Sequence, residues 1–153
     1  MQIYIGSDHA GFELKEKIKG YLKERGYDVA DSGPYTYDQD DDYPDYITPV
    51  ARKVSENSDT VRGVILGGSG QGEAMMANRF AYVRAVVYYG GPLDIIKVAR
   101  GHNDANILSL GARFLSEDEA KSALELWLET PFSDEERHVR RIKKIEKLSN
   151  RAC

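Results

Sequence analysis

The sequence predicts an α/β protein with a three-layer α/β/α Rossmann-like sheet of five parallel strands. Two observations lead to this prediction. Short aliphatic and β-branched runs alternate five times with longer segments of helical periodicity, and this alternation is typical of parallel sheets. The short runs are also apolar throughout, as expected of strands that helices cover on both faces.

Each predicted element has its own signal in the chain. The expected strands are residues 2–5, 27–30, 64–66, 83–89 and 106–110. The expected helices run from Phe12 to a closing Gly26, over 43–57, over 73–77, over 93–100, from Ser116 past Leu128, and over 134–150. Pro44 is favourable in the first turn of the second helix, and Ser-x-x-Glu capping boxes begin at Ser116 and Ser133.

The bulk properties indicate a single domain, residues 1–153, and exclude several classes of protein. The net charge of -4 argues against a nucleic-acid or membrane-surface binder, and no apolar run reaches membrane-spanning length. Met1 leads directly into a strand, without a signal peptide. The single cysteine, Cys153, leaves no disulfide framework and no cysteine metal site. We therefore expect a cytoplasmic protein.

Residues 64–73 join an apolar run to four glycines and then to helix-favouring residues. Glycines allow a sharp turn and a close approach of the backbone to a ligand, and the first turn of a helix has free N–H groups. The glycine loop, residues 67–72, is therefore predicted to form a cradle for an anion or oxyanion, with Glu73 at its edge. A tight turn without a ligand is the alternative.

Two of the three histidines lie in polar loops. His9 follows the first strand beside Asp8, and a neighbouring carboxylate fixes an imidazole tautomer or raises its pKa. The alternative is that Asp8 only caps the next helix. His102 lies in a polar turn, residues 100–106, before the fifth strand, where a solvated loop is the alternative.

The last helix is predicted to have a basic face and a separate packing face that includes Ile145. Arg137 and Arg141 are four residues apart and His138 and Arg141 three, which places all three on one face. Two arginines there form a fork suited to a phosphate or carboxylate. A solvated basic helix is the alternative, and nucleic-acid binding is disfavoured because no aromatic residues are interleaved with the basic ones.

An acidic loop, residues 38–45, has enough carboxylates to raise the question of a metal site. It lacks the spaced ligands and the glycine of an EF-hand. We therefore expect a solvated loop without a metal, with Tyr43 beside a cleft.

Seven motifs occur in order and at fitting separations along nearly the whole chain. They are Ser7-Asp8-His9-Ala10-Gly11, Asp42-Tyr43-Pro44, Gly67-Gly68-Ser69-Gly70-Gln71-Gly72-Glu73, Ala77-Asn78-Arg79, His102-Asn103-Asp104-Ala105-Asn106, Leu110-Gly111-Ala112-Arg113 and Arg137-His138-x-x-Arg141. Together they resemble ribose-5-phosphate isomerase type B, within the ribose/galactose isomerase family. The resemblance implies a homodimer with active sites at the subunit interface, leaves a tetramer open, and implies no cofactor or metal.

The resemblance also implies roles for individual residues. His102 matches the residue that opens the furanose ring by proton transfer, and Asp8 and His9 match substrate contacts. The backbone cradle around the carbonyl end of the sugar matches Gly68, Ser69, Gly70, Gln71 and Gly72. The substrate and phosphate binders, some reaching across from the partner chain, match Asn103, Arg113, Arg137 and Arg141, with His138 as nearby support.

One position departs from the commoner pattern of that family. Many members carry a cysteine at the position of Gly67, and its thiolate moves the proton between C1 and C2. A branch with glycine there has glutamate at the position of Glu73, and this sequence resembles that branch. The first turn of a helix favours an ionised carboxylate, so Glu73 is expected to stay ionised and to act as the base.

We therefore expect an aldose–ketose isomerase that interconverts ribose 5-phosphate and ribulose 5-phosphate through an enediolate. Glu73 and His102 are its expected catalytic residues. Two alternatives stay open from the sequence: the same chemistry on a six-carbon phosphate, such as galactose 6-phosphate or allose 6-phosphate, and a sugar-phosphate-binding protein without catalysis.

Overall fold

The computed structural model describes residues 1–149. The strands are β1 (Gln2–Ser7), β2 (Asp28–Asp31), β3 (Val61–Gly67), β4 (Ala85–Tyr88) and β5 (Ile107–Gly111). The helices are α1 (Phe12–Glu24), α2 (Tyr43–Glu56), α3 (Gln71–Ala77), α4 (Asp94–Asn103), α5 (Glu117–Glu129) and α6 (Glu136–Ser149). Asn150, the last residue of the predicted final helix, and Cys153 lie outside the described residues.

The five strands form one parallel sheet in the order β2-β1-β3-β5-β4. The predicted fold class is therefore confirmed. The chain moves to one side of β1 to form β2 and to the other side to form β3, so the direction of winding reverses between β1 and β3. In open parallel sheets, ligands bind beyond the carboxyl ends of the strands at such a reversal.

Apolar side chains fill the space on both faces of the sheet, which produces the three layers. On one face Leu66 and Leu108 pack with Ile18 of α1 and Trp127 of α5. On the other face Ile65 packs with Val50 of α2 and with buried residues of α3. Strand residues that alternate between the two clusters are expected when both faces of a sheet are covered.

A buried lysine ties α1 to the edge of the sheet. The Lys15 side chain is fully buried, and its Nζ donates to Asp31 Oδ1 at 3.0 Å and to the Pro34 carbonyl at 2.7 Å. Burying an ammonium group is costly unless it is paired and hydrogen-bonded, and here both conditions are met. The segment that follows β2 is thereby held against α1.

The element boundaries differ from the predicted ones where local geometry prevails over pattern. The predicted capping box at Ser116 is present, with Glu119 as its partner. The one predicted at Ser133 is wrong: Asp134 has a left-handed backbone (φ 53°), and α6 begins only at Glu136. Ile145, which was expected on the packing face of α6, is 56% exposed in one chain.

Within residues 1–149, no helix has the length and apolar character needed to cross a membrane.

Candidate active site

The glycine loop lies between β3 and α3, beyond the carboxyl edge of the sheet. The Gly67 carbonyl accepts a hydrogen bond from the Ala112 amide (2.8 Å), and the Gly68 carbonyl accepts one from the Arg113 amide (3.1 Å). Gly70 has a left-handed backbone (φ 76°) at the N-terminus of α3, a conformation that glycine adopts without the cost of a Cβ. These constraints hold the loop in one shape, and the Gln71 amide at the start of α3 donates to Ser69 Oγ within the loop (3.3 Å).

The Glu73 carboxylate lies directly against the backbone of Gly67. A Cβ built on Gly67 would overlap both the carboxylate carbon and its oxygens, with Oε2 at 2.6 Å. Any side chain at position 67 would therefore displace the carboxylate.

Glu73 is buried, with 4% of its surface exposed. Burial raises the pKa of its carboxyl above the ordinary value, the negative charge of Asp8 raises it further, and its own backbone N–H opposes the shift. Burial therefore acts against the ionised form, which the position of Glu73 in the first turn of α3 was expected to favour. A raised pKa moves the carboxyl toward the value at which a base works best near neutral pH.

Asp8 and His9 follow β1, the strand adjacent to β3, so they lie beside the glycine loop. Asp8 Oδ1 accepts a hydrogen bond from the Gly11 amide at 2.9 Å and closes the turn before α1. It does not cap the helix, because α1 has Gly11 at its N-cap without a side-chain cap. The predicted pairing of His9 with Asp8 is not the main one. His9 Nδ1 lies 2.7 Å from Asp41 Oδ1, in the acidic loop.

The prediction of a solvated acidic loop is therefore wrong for Asp41. The Asp41 side chain is only 3% exposed, and no signal in the sequence distinguished it from its acidic neighbours. The expected position of Tyr43 is supported, since a Cβ on Gly72 would meet the Tyr43 ring at 3.0 Å. No group of three or more potential metal ligands forms within residues 1–149.

Arg113 completes the group at the carboxyl edge. Its side chain lies over the glycine loop, because a Cβ built on Gly68 would be 3.1 Å from the guanidinium carbon. The side chain is exposed, so it is accessible to a ligand in the loop. We call Asp8, His9, the glycine loop, Glu73 and Arg113 the carboxyl-edge group.

His102 and Asn103 form the last turn of α4 and are both exposed. The predicted polar turn is therefore partly helical. The helix ends at Asp104, which has a left-handed backbone (φ 45°) and whose carboxylate pairs with Arg84 and Arg100, both at 2.7 Å. This pairing fixes the end of α4 immediately after His102 and Asn103.

His138 of α6 stacks on His102. The ring centroids are 4.3 Å apart and the planes differ by 13°. His138 is 3% exposed, and burial lowers the pKa of its ring, with His102 and Arg137 lowering it further. A neutral His138 therefore supports His102 from the protein side, while Arg137 and Arg141 are exposed on the same helix.

These residues lie at the opposite edge of the sheet from Glu73. His102 comes shortly before β5 begins at Ile107, whereas the glycine loop follows the end of β3, level with Gly111. Four residues of strand separate these levels, about 13 Å at 3.3 Å per residue. We call His102, Asn103, Arg137, His138 and Arg141 the amino-edge group. Within one chain, the structure does not bring the two groups together.

A separate cavity of about 570 Å³ lies along α2 and contains none of the predicted site residues. It is lined by Tyr4, Ser32, Pro44, Asp45, Thr48, Pro49, Arg52, Lys53 and Glu56. Its lining mixes acidic and basic side chains without a convergent set of polar groups. The chemistry of the chain is concentrated instead at the glycine loop and the residues around it.

Comparison with known proteins agrees with this geometry. A ribose-5-phosphate isomerase B from Mycolicibacterium paratuberculosis is 38% identical over 142 residues, which cover 93% of this chain and 87% of that protein. The Escherichia coli ribose-5-phosphate isomerase B is 35% identical over 150 residues, covering 98% and 97%. The structure of ribose-5-phosphate isomerase B from Mycoplasma genitalium with bound ribulose-5-phosphate has a TM-score of 0.93 and 38% identity, and covers 97% of this chain and 96% of that chain.

The family profile described as Ribose/Galactose Isomerase matches residues 3–145. The match extends from β1 into α6 and so includes every predicted site residue. The chain therefore belongs to the Ribose/Galactose Isomerase family.

Proposed function

We propose that this chain interconverts ribose 5-phosphate and ribulose 5-phosphate, as a homodimer in which each active site combines residues of both subunits. The observation that carries the proposal is the buried Glu73 carboxylate lying against Gly67 in the glycine loop. The substrate is supported by the relatives, which are ribose-5-phosphate isomerases B, one of them with bound ribulose-5-phosphate.

Glu73 acts as the base in this proposal. In the open-chain aldose it takes the proton from C2, and the C–H electron pair forms the C1=C2 double bond of an enediolate while negative charge moves to O1. The proton of the C2 hydroxyl passes to O1, which leaves the negative charge on O2. As the carbonyl forms at C2, the electron pair of the C1=C2 bond takes the proton back from Glu73 at C1. A buried carboxyl with a raised pKa suits both steps, because it accepts and returns a proton without a large free-energy difference.

The glycine loop stabilises the charge that develops on the sugar oxygens. Its carbonyls at Gly67 and Gly68 are already hydrogen-bonded to the chain after β5, so the loop offers its backbone N–H groups to the substrate. Fixed N–H donors directed at a developing oxyanion lower the barrier, by about 3 kcal/mol for one donor in a well-studied enzyme. Ser69 and Gln71 extend this surface.

The amino-edge group supplies ring opening and phosphate binding. The exposed His102, supported by the neutral His138, transfers the proton that opens the furanose ring. Arg137 and Arg141 bind the phosphate and Asn103 a sugar hydroxyl. Phosphate binding far from the reacting carbons positions C1 and C2 at Glu73.

Two copies of the chain are required for this arrangement. The carboxyl-edge and amino-edge groups lie at opposite edges of the sheet in one chain, whereas a symmetric dimer lets the amino-edge group of one subunit meet the carboxyl-edge group of the other. Exposed apolar side chains on α4 and α6, including Ile95 and Leu148, are consistent with a buried contact near His102. A cytoplasmic location remains part of the proposal.

The test is Glu73→Gln, assayed with ribose 5-phosphate in the presence of a chelator. We expect the substrate to bind with nearly unchanged affinity and kcat to fall by about 10²–10⁴-fold, the usual contribution of a general base. Galactose 6-phosphate and allose 6-phosphate, assayed in parallel, should be poorer substrates of the wild-type enzyme.

The control is Glu129→Gln, which removes an exposed carboxylate on α5 and should leave kcat unchanged. Wild-type turnover in the Glu73 variant would show that another group is the base. Binding of ribose 5-phosphate without isomerisation by the wild-type protein would favour a non-catalytic binding protein.

A further inference from the structure

A buried carboxylate of the acidic loop holds His9 by two contacts. Asp41 Oδ1 lies 2.7 Å from His9 Nδ1 and accepts a hydrogen bond from the His9 backbone N–H at 3.1 Å. One oxygen thus joins both the ring and the main chain of the same residue, which fixes the side-chain torsions of His9. The two residues are 32 positions apart, so this contact also anchors the acidic loop beside β1.

The surroundings of the pair restrict the ring further. Tyr37, which immediately precedes the acidic loop, meets the His9 ring edge to face, with centroids 6.4 Å apart. The His9 side chain remains 26% exposed, so the ring is held on one side and accessible on the other. Because Nδ1 faces Asp41, Nε2 is the nitrogen left for a ligand.

The second oxygen of Asp41 is a further sign that the carboxylate has a purpose beyond loop closure. Asp41 Oδ2 is buried and has no hydrogen-bond partner within residues 1–149. Burying an ionised oxygen without a partner is costly, and a carboxylate that served only to cap the loop would not need to be buried beside an imidazole.

We propose that Asp41 is a positioning residue for His9: it fixes the imidazole with Nε2 toward the sugar-phosphate site and places a carboxylate against the ring that binds the anionic substrate. This inference rests on the proposed function for the identity of the substrate. The contact with Asp41 is the largest influence on the His9 pKa and raises it; burial opposes this, Asp8 adds to it, and Arg113 opposes it. These groups, with the Tyr37 ring, are the ones that face His9.

The consequence is a pH dependence of substrate binding. Since the folded-state pKa of His9 is raised, the cation persists to higher pH than for an ordinary histidine. Replacing Asp41 by asparagine keeps the shape of the side chain and removes its charge, so the cation should be lost at a lower pH. Binding of ribose 5-phosphate should then weaken at neutral pH.

The experiment compares Asp41→Asn with Asp40→Asn in the full chain. Asp40 is exposed in the same loop, so its variant makes the same change of charge without touching His9. NMR titration of the side chains of the three histidines, assigned with His9→Gln, gives the His9 pKa directly. In the wild-type protein we expect it above the ordinary value of 6.5, lowered in Asp41→Asn and unchanged in Asp40→Asn.

Kinetics provide the second measurement. In Asp41→Asn we expect KM for ribose 5-phosphate to rise about tenfold near neutral pH, the effect of losing one charge-assisted hydrogen bond, with a smaller change in kcat. In His9→Gln the same replacement of Asp41 should have almost no further effect, because the two residues act through one contact.

A wild-type His9 pKa at or below 6.5, or equal pKa values in the two aspartate variants, would overturn the inference. So would full additivity of the His9 and Asp41 replacements. Failure of the proposed function is distinguishable, because the NMR titration tests the Asp41–His9 contact in a protein that isomerises nothing. In that case the dissociation constant of ribose 5-phosphate, measured by calorimetry, takes the place of KM.

Discussion

At the scale of single residues, Gly67 and Glu73 form a matched pair. A Cβ at position 67 overlaps the Glu73 carboxylate, so Gly67→Ala should force the carboxylate away from the loop and lower kcat/KM by about 10²-fold or more, since a displacement of about 1 Å costs that much. Gly20→Ala is the control: Gly20 is an exposed position of α1 whose Cβ would meet nothing within 4 Å. Equal activities of the two variants would contradict the role given to this contact.

Burial of Glu73 predicts a pH dependence of both activity and stability. Because burial raises the folded-state pKa of Glu73 above the ordinary value of 4.5, the acid limb of the kcat profile should lie above that of an ordinary glutamate. The raised pKa also means that Glu73 favours folding below its unfolded pKa, and that this contribution is lost as pH rises through the folded pKa.

Glu73→Gln should therefore gain stability relative to wild type as pH rises from about 4.5, the unfolded value. Urea denaturation at pH 5 and pH 8 measures the change, with Glu129→Gln as the exposed control. If the variant is less stable than wild type at pH 8, the folded state stabilises the ionised carboxylate. That result would contradict a raised pKa of Glu73.

At the scale of elements, the two Ser-x-x-Glu patterns have different outcomes and predict different stabilities. The Ser116 side chain accepts from the Glu119 amide, and Glu119 Oε2 accepts from the Ser116 amide at 2.8 Å. The Ser133 side chain instead accepts from the Glu135 amide at 3.4 Å, two residues on, and no reciprocal bond accompanies it in residues 1–149. Ser116→Ala should cost about 1 kcal/mol of the free energy of unfolding. Ser133→Ala should cost clearly less, and equal losses by thermal denaturation would contradict the difference in capping.

Sequence periodicity was sufficient for the elements and insufficient for their ends. All five strands and six helices lie where apolar spacing predicted them, because burial on two faces imposes that spacing. The end of α4 was missed because Asp104 takes a left-handed backbone stabilised by Arg84 and Arg100. The contact with Arg84 joins residues 20 positions apart, and a local sequence pattern does not contain such a contact.

At the scale of the whole molecule, the predicted site residues lie in two groups, and their positions within one chain depend on tertiary packing. Asp8, His9 and Glu73 meet because β1 and β3 are neighbours. The Asp41–His9 contact and the stacking of His138 on His102 depend on tertiary packing between distant segments. The separation of the two groups across the sheet follows only from the strand order and the return of α4 to the amino edge.

That separation gives a test of the shared active site by subunit mixing. Glu73→Gln and His102→Gln should each be nearly inactive as homodimers, because both sites of each dimer lack one catalytic residue. In a heterodimer of the two, one site carries both replacements and the other carries neither. Random assortment makes half of the dimers heterodimers, so a refolded equimolar mixture should regain about a quarter of wild-type activity.

The matched control mixes Glu73→Gln with Arg113→Ala. Both replacements lie in the carboxyl-edge group, so each site of the heterodimer still contains one of them, and activity should not return. If Glu73 and His102 of the same chain served one site, neither mixture would regain activity, since every chain would carry a defect in its own site. Recovery in the first mixture and not in the second is therefore the result that a site built from opposite edges of two sheets requires.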